Sequence, residues 1–415
     1  MKFRSLFLAT LAVMAMASCS NENDPITDNG NGEKNAIFNF SIALPNNGTT
    51  KADGNEAGTL KEQKVNNITL VLTYEGGIPV FTKTYQVNEF TQSGSIYTLT
   101  NAEQVSAGTA TATIYVNNNG VPGNTTVETA VATGLGDYAS TEGSGNFFMS
   151  GVSTSFSITA NTLNTAPTVQ VDRIAVKLDE CTDTDGDADG KQTVFNVTAE
   201  NSLVKKALTI QLTDYAYSNL NKKSNALAST KYYAASDFFN PFIENQEVTT
   251  PDLWTTTFQN ATNTIDKDVT YCFENGATAP TKIYYKATVT LDGVTAGTTF
   301  YVDTNNNNEL YTSFTDLNAA YNNALGTAYN LTEDSSNTDF MKEIGVRKYT
   351  SGICYYGAPI EEAGITRNNW YKLKVISIAD LGLPEIDTPI PGAPTLLVFS
   401  VEVNQWNVWN KEIQL

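Results

Sequence analysis

The chain has 415 residues, 25 Lys and Arg against 44 Asp and Glu, a formal net charge of -19 and no histidine. The missing imidazole excludes Ser-His-Asp and Cys-His nucleophile pairs, zinc sites with His ligands and an imidazole general base, and the acidity argues against nucleic acid, whose binders cluster Lys and Arg to neutralise phosphates. With 41% hydrophobic and 17% charged residues, the chain can bury substantial cores, and its length suits two domains, or roughly three.

Residues 1–18 are read as an export signal rather than fold. Lys2 and Arg4 give a basic start, and residues 6–17 are apolar but too short to span a bilayer. The stretch ends in Met16-Ala17-Ser18-Cys19. Small residues directly before a Cys resemble a bacterial lipobox, in which cleavage precedes Cys19 and that residue takes lipid. Ala15-Met16-Ala17 would also suit an ordinary signal peptidase, but the Cys falls where the apolar stretch ends, which favours the lipoprotein. Residues 19–34 are rich in Asn, Asp and Gly and read as a flexible tether. Within them, Ser20-Asn21-Glu22-Asn23-Asp24 is similar to the acidic lipoprotein-export signals of Bacteroidetes.

The first strand is expected at residues 35–44. Ala36, Phe38, Phe40, Ile42 and Leu44 form one apolar row, and the opposite row is mostly polar. Pro45 ends it. The loop that follows, residues 46–55, has no large apolar anchor and carries Lys51 followed by Ala52. Exposed polar loops are preferred sites of nicking, and a lone basic residue suits a trypsin-type protease. Lys61 and Lys64 lie nearby as other cut sites; Ala52 and Gly54 favour Lys51. On composition alone, a simple hairpin or linker loop is the more ordinary reading.

Beyond this point the chain reads as β throughout. Strands are expected at 68–74, 111–116, 156–158, 169–178, 193–197, 208–212, 282–291 and 371–378, with turn signals such as Gly76-Gly77 among them. One helix is expected, with Thr315 as N-cap, Leu317, Ala320, Tyr321, Ala324 and Leu325 on one stripe, and closure near Gly326. The expected fold is mostly β, two β-sandwich-like domains in tandem with few short helices. A boundary in the polar stretch 164–168 divides an N-terminal domain, 52–167, from a C-terminal one, 168–395.

Other features point to chemistry less strongly. Cys181, Cys272 and Cys354 allow one disulfide in an exported chain, with no pair preferred, and buried free thiols are about as good a reading. The acidic stretch 183–190 has calcium-loop spacing when counted from Asp185, but the twelfth position is then Asn196 instead of the required Glu, so a solvated turn is expected. The polar loop 303–309 is read the same way. Glu361 and Glu362 are adjacent and on a strand would face opposite sides. No metal, cofactor or enzymatic activity is expected.

The C-terminus, residues 396–415, follows a Pro-rich spacer, 384–394. Leu397, Phe399, Val401, Val403, Trp409, Ile413 and Leu415 share the odd phase, while Trp406 and Val408 lie in the other. A last strand docked in its own domain is the usual fate of such a segment. Yet termini usually fray, and one with two Trp should be covered by something apolar.

Taken in order, these pieces resemble the Bacteroidales fimbrilins, subunits of type V pili. The likeness rests on Cys19, the strand before Lys51, Val65-Asn66-Asn67-Ile68-Thr69-Leu70-Val71-Leu72, Asn146-Phe147-Phe148-Met149-Ser150-Gly151 and Val171-Asp172-Arg173-Ile174-Ala175-Val176-Lys177. It continues through Gly352-Ile353-Cys354-Tyr355-Tyr356, Thr366-Arg367-Asn368-Asn369-Trp370-Tyr371-Lys372-Leu373, Leu381-Gly382-Leu383-Pro384 and Trp406-Asn407-Val408-Trp409. The long C-terminal half and terminal Trp resemble most the branch whose major subunit forms the short fimbriae.

The resemblance implies a structural pilus stalk subunit that supports adhesion and biofilm formation. It implies an outer-membrane lipoprotein precursor, a trypsin-like maturation protease as partner and loss of the N-terminal strand. Other copies and accessory subunits would then join by donor-strand exchange, and the final location would be the cell-surface fimbrium. The family's well-known members are cut after Arg, whereas this chain offers Lys51. A non-polymerising surface glycan-binding lipoprotein is the alternative reading, with a carboxylate-based hydrolase third.

Overall fold

The computed structural model describes residues 34–44, 56–57, 62–117, 147–180, 182, 193–221, 224–228, 238–239, 269–386 and 397–407. They are mostly β, arranged in sheets of three to seven strands, with short helices at Phe314–Ala320, Leu325–Ala328 and Asn337–Ile344.

Period-two patterning builds the strands. Along Lys282–Leu291, Ile283, Tyr285, Ala287, Val289 and Leu291 are buried in strict alternation, so one face of the pleat enters the core. Strand Asn67–Tyr74 buries Ile68, Leu70, Leu72 and Tyr74 on one face, with Thr69 also buried on the other. It turns through Gly76 and Gly77, at φ 77° and 81°, into Phe81–Gln86. Positive φ is open to Gly at little steric cost, which is why that dipeptide marks the turn.

Two large apolar clusters hold the molecule. The first gathers residues from Ala36 to Ala175 and also takes in Trp370. The second is built mainly from strands Ala175–Glu180, Leu208–Ser218, Lys282–Leu291, Ile353–Pro359 and Asn369–Ile378. A small cluster, Tyr115, Phe148, Ile174, Ala226 and Phe273, lies apart from both. The helices pack Leu317, Leu325, Phe340 and Ile344 around Tyr301 and Val346 as a satellite.

The expected single strand at 169–178 is instead three: Val169–Gln170, Asp172–Arg173 and Ala175–Glu180, each in a different sheet. The apolar run is continuous because the chain passes from one core to the other. Val169, Val171 and Ala175 belong to the first cluster, Ile174 to the small one, and Val176 and Leu178 to the second. Ala175–Glu180 is buried along its length, between antiparallel Val269–Phe273 and parallel Asn369–Ile378. A strand covered on both faces shows no alternation.

The expected helix also differs. Its N-cap is Ser313, whose hydroxyl accepts from the Asp316 amide at 3.1 Å, not Thr315. It stops at Ala320 because Asn322 and Asn323 take φ of 56° and 58°, and a separate turn begins at Leu325. Helix Asn337–Ile344 was not expected, although its ends carry local signals. Ser336 and Asp339 form a capping box, and Gly345 closes it in the left-handed conformation at φ 68°.

Candidate functional site: the leading strand and its groove

The row expected at residues 36–44 is inserted between neighbours on both sides. It forms two short strands, Ala36–Asn39 and Ser41–Ala43. The first lies between Leu163–Thr165, parallel, and Glu103–Val105, antiparallel. The second lies between Val169–Gln170, parallel, and Ile96–Leu99, antiparallel. The break at Phe40 accompanies a change of register on both flanks: Phe38 faces Glu103 and Asn164, whereas Ile42 faces Tyr97 and Val169. Backbone bonds continue across the break, Leu99 N–H to the Phe40 carbonyl at 3.0 Å and Ala166 N–H to the Asn39 carbonyl at 2.9 Å.

All five row residues are buried, Phe38, Phe40 and Ile42 completely. The opposite row faces outward, with Ile37 45% exposed. Phe38 stacks on Phe156 with ring centroids 5.9 Å apart. Phe40 meets Phe90 edge-on at 5.6 Å and Tyr85 at 5.7 Å. The Tyr85 hydroxyl donates to Glu103 at 3.3 Å; burial, with that carboxylate beside it, pushes the phenol pKa well up. At ~1.5–3 kcal/mol per large apolar side chain, the four large members of the row contribute roughly 6–12 kcal/mol as an upper bound. Chemically, the site is a two-sided slot for one extended, alternately apolar strand. Tyr85, Phe90 and Phe156 are its aromatic wall, and β-rich composition alone does not single them out.

A second constellation joins the cores. Glu62, 2% exposed, forms an ion pair with the Lys177 ammonium at 3.0 Å and accepts from the Tyr271 hydroxyl. Its carbonyl accepts from Arg173 Nε at 2.9 Å. Arg173 also donates to Asn368 Oδ1 at 3.2 Å; burial outweighs the nearby Glu62 and lowers its pKa to about 10. Trp370 Nε1 donates to Asp179 at 3.1 Å. Nearby, Arg367 pairs with buried Glu274. The stretches 171–177 and 366–373 thus meet at a polar seam. Glu62, in a polar stretch between Lys61 and Lys64, gave no compositional sign of burial.

The C-terminal strand, Leu397–Asn407, is docked in its own sheet. It pairs antiparallel with Asn369–Ile378 and parallel with Glu56–Ala57 on its other edge. The register sets Leu397, Phe399, Val401 and Val403 opposite Ile378, Val375, Leu373 and Tyr371, all buried residues. Among the described residues, Trp406 and Asn407 pair with Glu56 and Ala57. Cys19, Lys51, Ala52, Val408, Trp409, Ile413 and Leu415 lie outside the described residues, as do Cys181 and the acidic stretch 183–190.

Cys272 and Cys354 are free, buried thiols, and burial raises the Cys354 pKa to about 12. Glu361 and Glu362 lie in and beside a turn, not on a strand. The 303–309 loop is a hairpin turn in which Asp303 accepts from the Asn305 amide at 3.0 Å and the Tyr321 hydroxyl at 2.7 Å. Among the described residues, no group of three or more His, Cys, Asp or Glu is placed to hold a metal ion.

Residues 347–412, which take in the docked C-terminal strand, match the family model "Major fimbrial subunit protein type IV, Fimbrillin, C-terminal". No curated protein matches the chain. Among solved structures, it is similar to a fimbrilin of Porphyromonas gingivalis W83, at 14% identity over 91% of this chain and 100% of that one, with a TM-score of 0.50. A candidate cell adhesion protein of Parabacteroides distasonis ATCC 8503 matches at 13% identity over 91% and 99%, with a TM-score of 0.49. Residues 347–412 are thus similar to the fimbrillin C-terminal segment, and the chain shares the fold of the Porphyromonas gingivalis fimbrilin.

Proposed function

We propose that this protein is a structural fimbrial subunit of the stalk, exported as an outer-membrane lipoprotein through Cys19 and matured by a trypsin-like protease after Lys51. Loss of the residues before Ala52 vacates the slot of the leading strand, and a strand from the C-terminus of a neighbouring subunit fills it. The single observation that carries this reading is the position of residues 36–44, paired on both sides and buried on one face. An outgoing edge strand would open one backbone edge, whereas this one opens an edge on each side of an apolar slot. A replacement strand restores both sets of backbone bonds and the buried row. Each subunit gives one strand and receives one, a head-to-tail contact that generates a fibre. Surface fimbriae built this way would support adhesion and biofilm formation.

Of the proposed donor residues, Val401 and Val403 would have to leave Leu373 and Tyr371 in the home sheet. The home pairing with Asn369–Ile378 ends at Gln405, so Trp406 has no register partner in that strand to leave, and Val408, Trp409, Ile413 and Leu415 lie outside the described residues. The fimbrillin match over 347–412 supports the reading.

The test is limiting trypsin on purified protein lacking residues 1–18, followed by N-terminal sequencing and sizing. A new N-terminus at Ala52 with a ladder of oligomers is expected. A cut chain that stays monomeric would sink strand exchange.

A further inference from the structure

We propose that Glu62 sets the downstream limit of proteolytic maturation: it pins the chain from residue 62 onward to both cores, so that Lys64, an exposed lysine, lies in a protected bond. The inference rests on the reading of the chain as a precursor cut in the loop after Leu44.

A trypsin-type protease needs the chain around the cut bond extended and free of its own fold. Lys64 has the right side chain, and it is exposed. Its backbone is held fast. The Lys64 carbonyl accepts from Asn117 Nδ2 at 2.7 Å, and the Asn66 amide donates to Asn117 Oδ1 at 2.8 Å. Asn117 itself is buried, and its Nδ2 also donates to the Phe147 carbonyl at 3.0 Å. Val65, on the leaving side of the bond, is buried in the first core.

On the other side of the bond stands Glu62, clamped by Lys177, Tyr271 and Arg173. Opening the Lys64 bond would break these contacts and leave buried cations without their carboxylate, which is strongly unfavourable. Lys61 is followed directly by this buried residue, so a cut there also requires Glu62 to come out. Lys51 stands eleven residues before Glu62, outside the stretch that these contacts hold.

The limit has a consequence for the mature subunit. The chain kept between Ala52 and Glu62 includes Glu56–Ala57, which pairs with Trp406–Asn407 at the far edge of the C-terminal strand. A cut after Lys64 would discard that edge strand together with Glu62. The pin thus decides whether the new N-terminus stays beside the C-terminal strand.

The test is a time course of limiting trypsin on the full chain, with every new N-terminus read by mass spectrometry. The wild-type chain should gain an N-terminus at Ala52 and none at Val65 while it remains folded. Glu62→Gln should speed cleavage after Lys64 at least about tenfold, because cleavage in this regime tracks the population of the opened segment. Asn117→Ala, which frees the same bond without stranding a charge, should do likewise and serves if Glu62→Gln does not fold. Wild-type cleavage after Lys64 as fast as after Lys51, or folded variants cut no faster than wild type, would overturn the limit. The readout is separate from assembly. Chains cut at Lys51 that never polymerise would defeat strand exchange and leave the limit standing.

Discussion

Lys177 and Trp370 are register partners in neighbouring parallel strands, and the Lys177 ammonium lies 3.6 Å from the centre of the Trp370 indole. Both side chains are buried. Desolvated cation–π contacts of this kind are worth about 2 kcal/mol, and the same ammonium reaches Glu62 on the other core. Lys372 approaches the same ring at 4.6 Å. One aromatic side chain therefore organises the seam between the two halves of the molecule.

Replacing Trp370 tests that seam. Trp370→Leu removes the ring under Lys177 and the donor to Asp179. A loss of about 3–5 kcal/mol is expected, the range for truncating a large buried aromatic. Urea unfolding of the full chain checks it, and a change below about 1 kcal/mol would show that the seam holds without the ring.

The leading strand supplies a comparison of two states. Phe40→Ala should destabilise the uncut chain by about 3–5 kcal/mol, since its ring fills the space between Tyr85 and Phe90. After cleavage at Lys51 and loss of the strand, the variant and wild-type chains have the same sequence and should unfold alike. Paired urea melts before and after trypsin measure both. A difference that persists after cleavage would mean that the strand stays bound.

Glu180 makes stability depend on pH. Burial raises its pKa from 4.5 to about 8, against hydrogen bonds from Tyr285 and Thr182 that favour ionisation. The folded chain thus holds a proton that the unfolded chain releases between these values. This contribution is fully present below about pH 4.5 and is lost as pH rises towards 8. Glu180→Gln should flatten the decline across that window, as read by melting temperature from pH 5 to 8. An unchanged slope would place the pH dependence elsewhere.

Deleting residues 406–415 should spare the fold and stop assembly. All nine register pairs between the C-terminal strand and Asn369–Ile378 involve residues up to Gln405, so none is lost. Circular dichroism and a melting curve near wild type, with no oligomer ladder after trypsin, is the expected pair of results. Global unfolding would instead assign residues 406–415 to the home domain.

Assembly should also proceed faster as salt rises. Cleavage after Lys51 removes four basic residues, Lys2, Arg4, Lys34 and Lys51, and four acidic ones, Glu22, Asp24, Asp28 and Glu33, so the net charge stays at -19. Joining such subunits works against like-charge repulsion, which salt screens. Light scattering at 50 and 300 mM NaCl measures the rate, and slower growth at the higher salt would contradict the argument.

The sequence by itself determined the elements whose cause is local. The alternating row 36–44, the strict alternation of 282–291 and the Gly76-Gly77 turn all follow from the pleat and from backbone sterics. The caps at Ser336 and Gly345 also have a local cause, although no helix was expected between them. Only the tertiary structure decided which strands flank the row, because Leu163 and Val105 reach Ile37 and Ala36 across long stretches of chain that periodicity does not register. It also split 169–178 among three sheets, since an apolar run looks the same whether it fills one core or crosses between two. Glu62 shows the limit most plainly. Its partners Lys177, Arg173 and Tyr271 lie more than a hundred residues away, and a charged residue can be buried only where such partners converge.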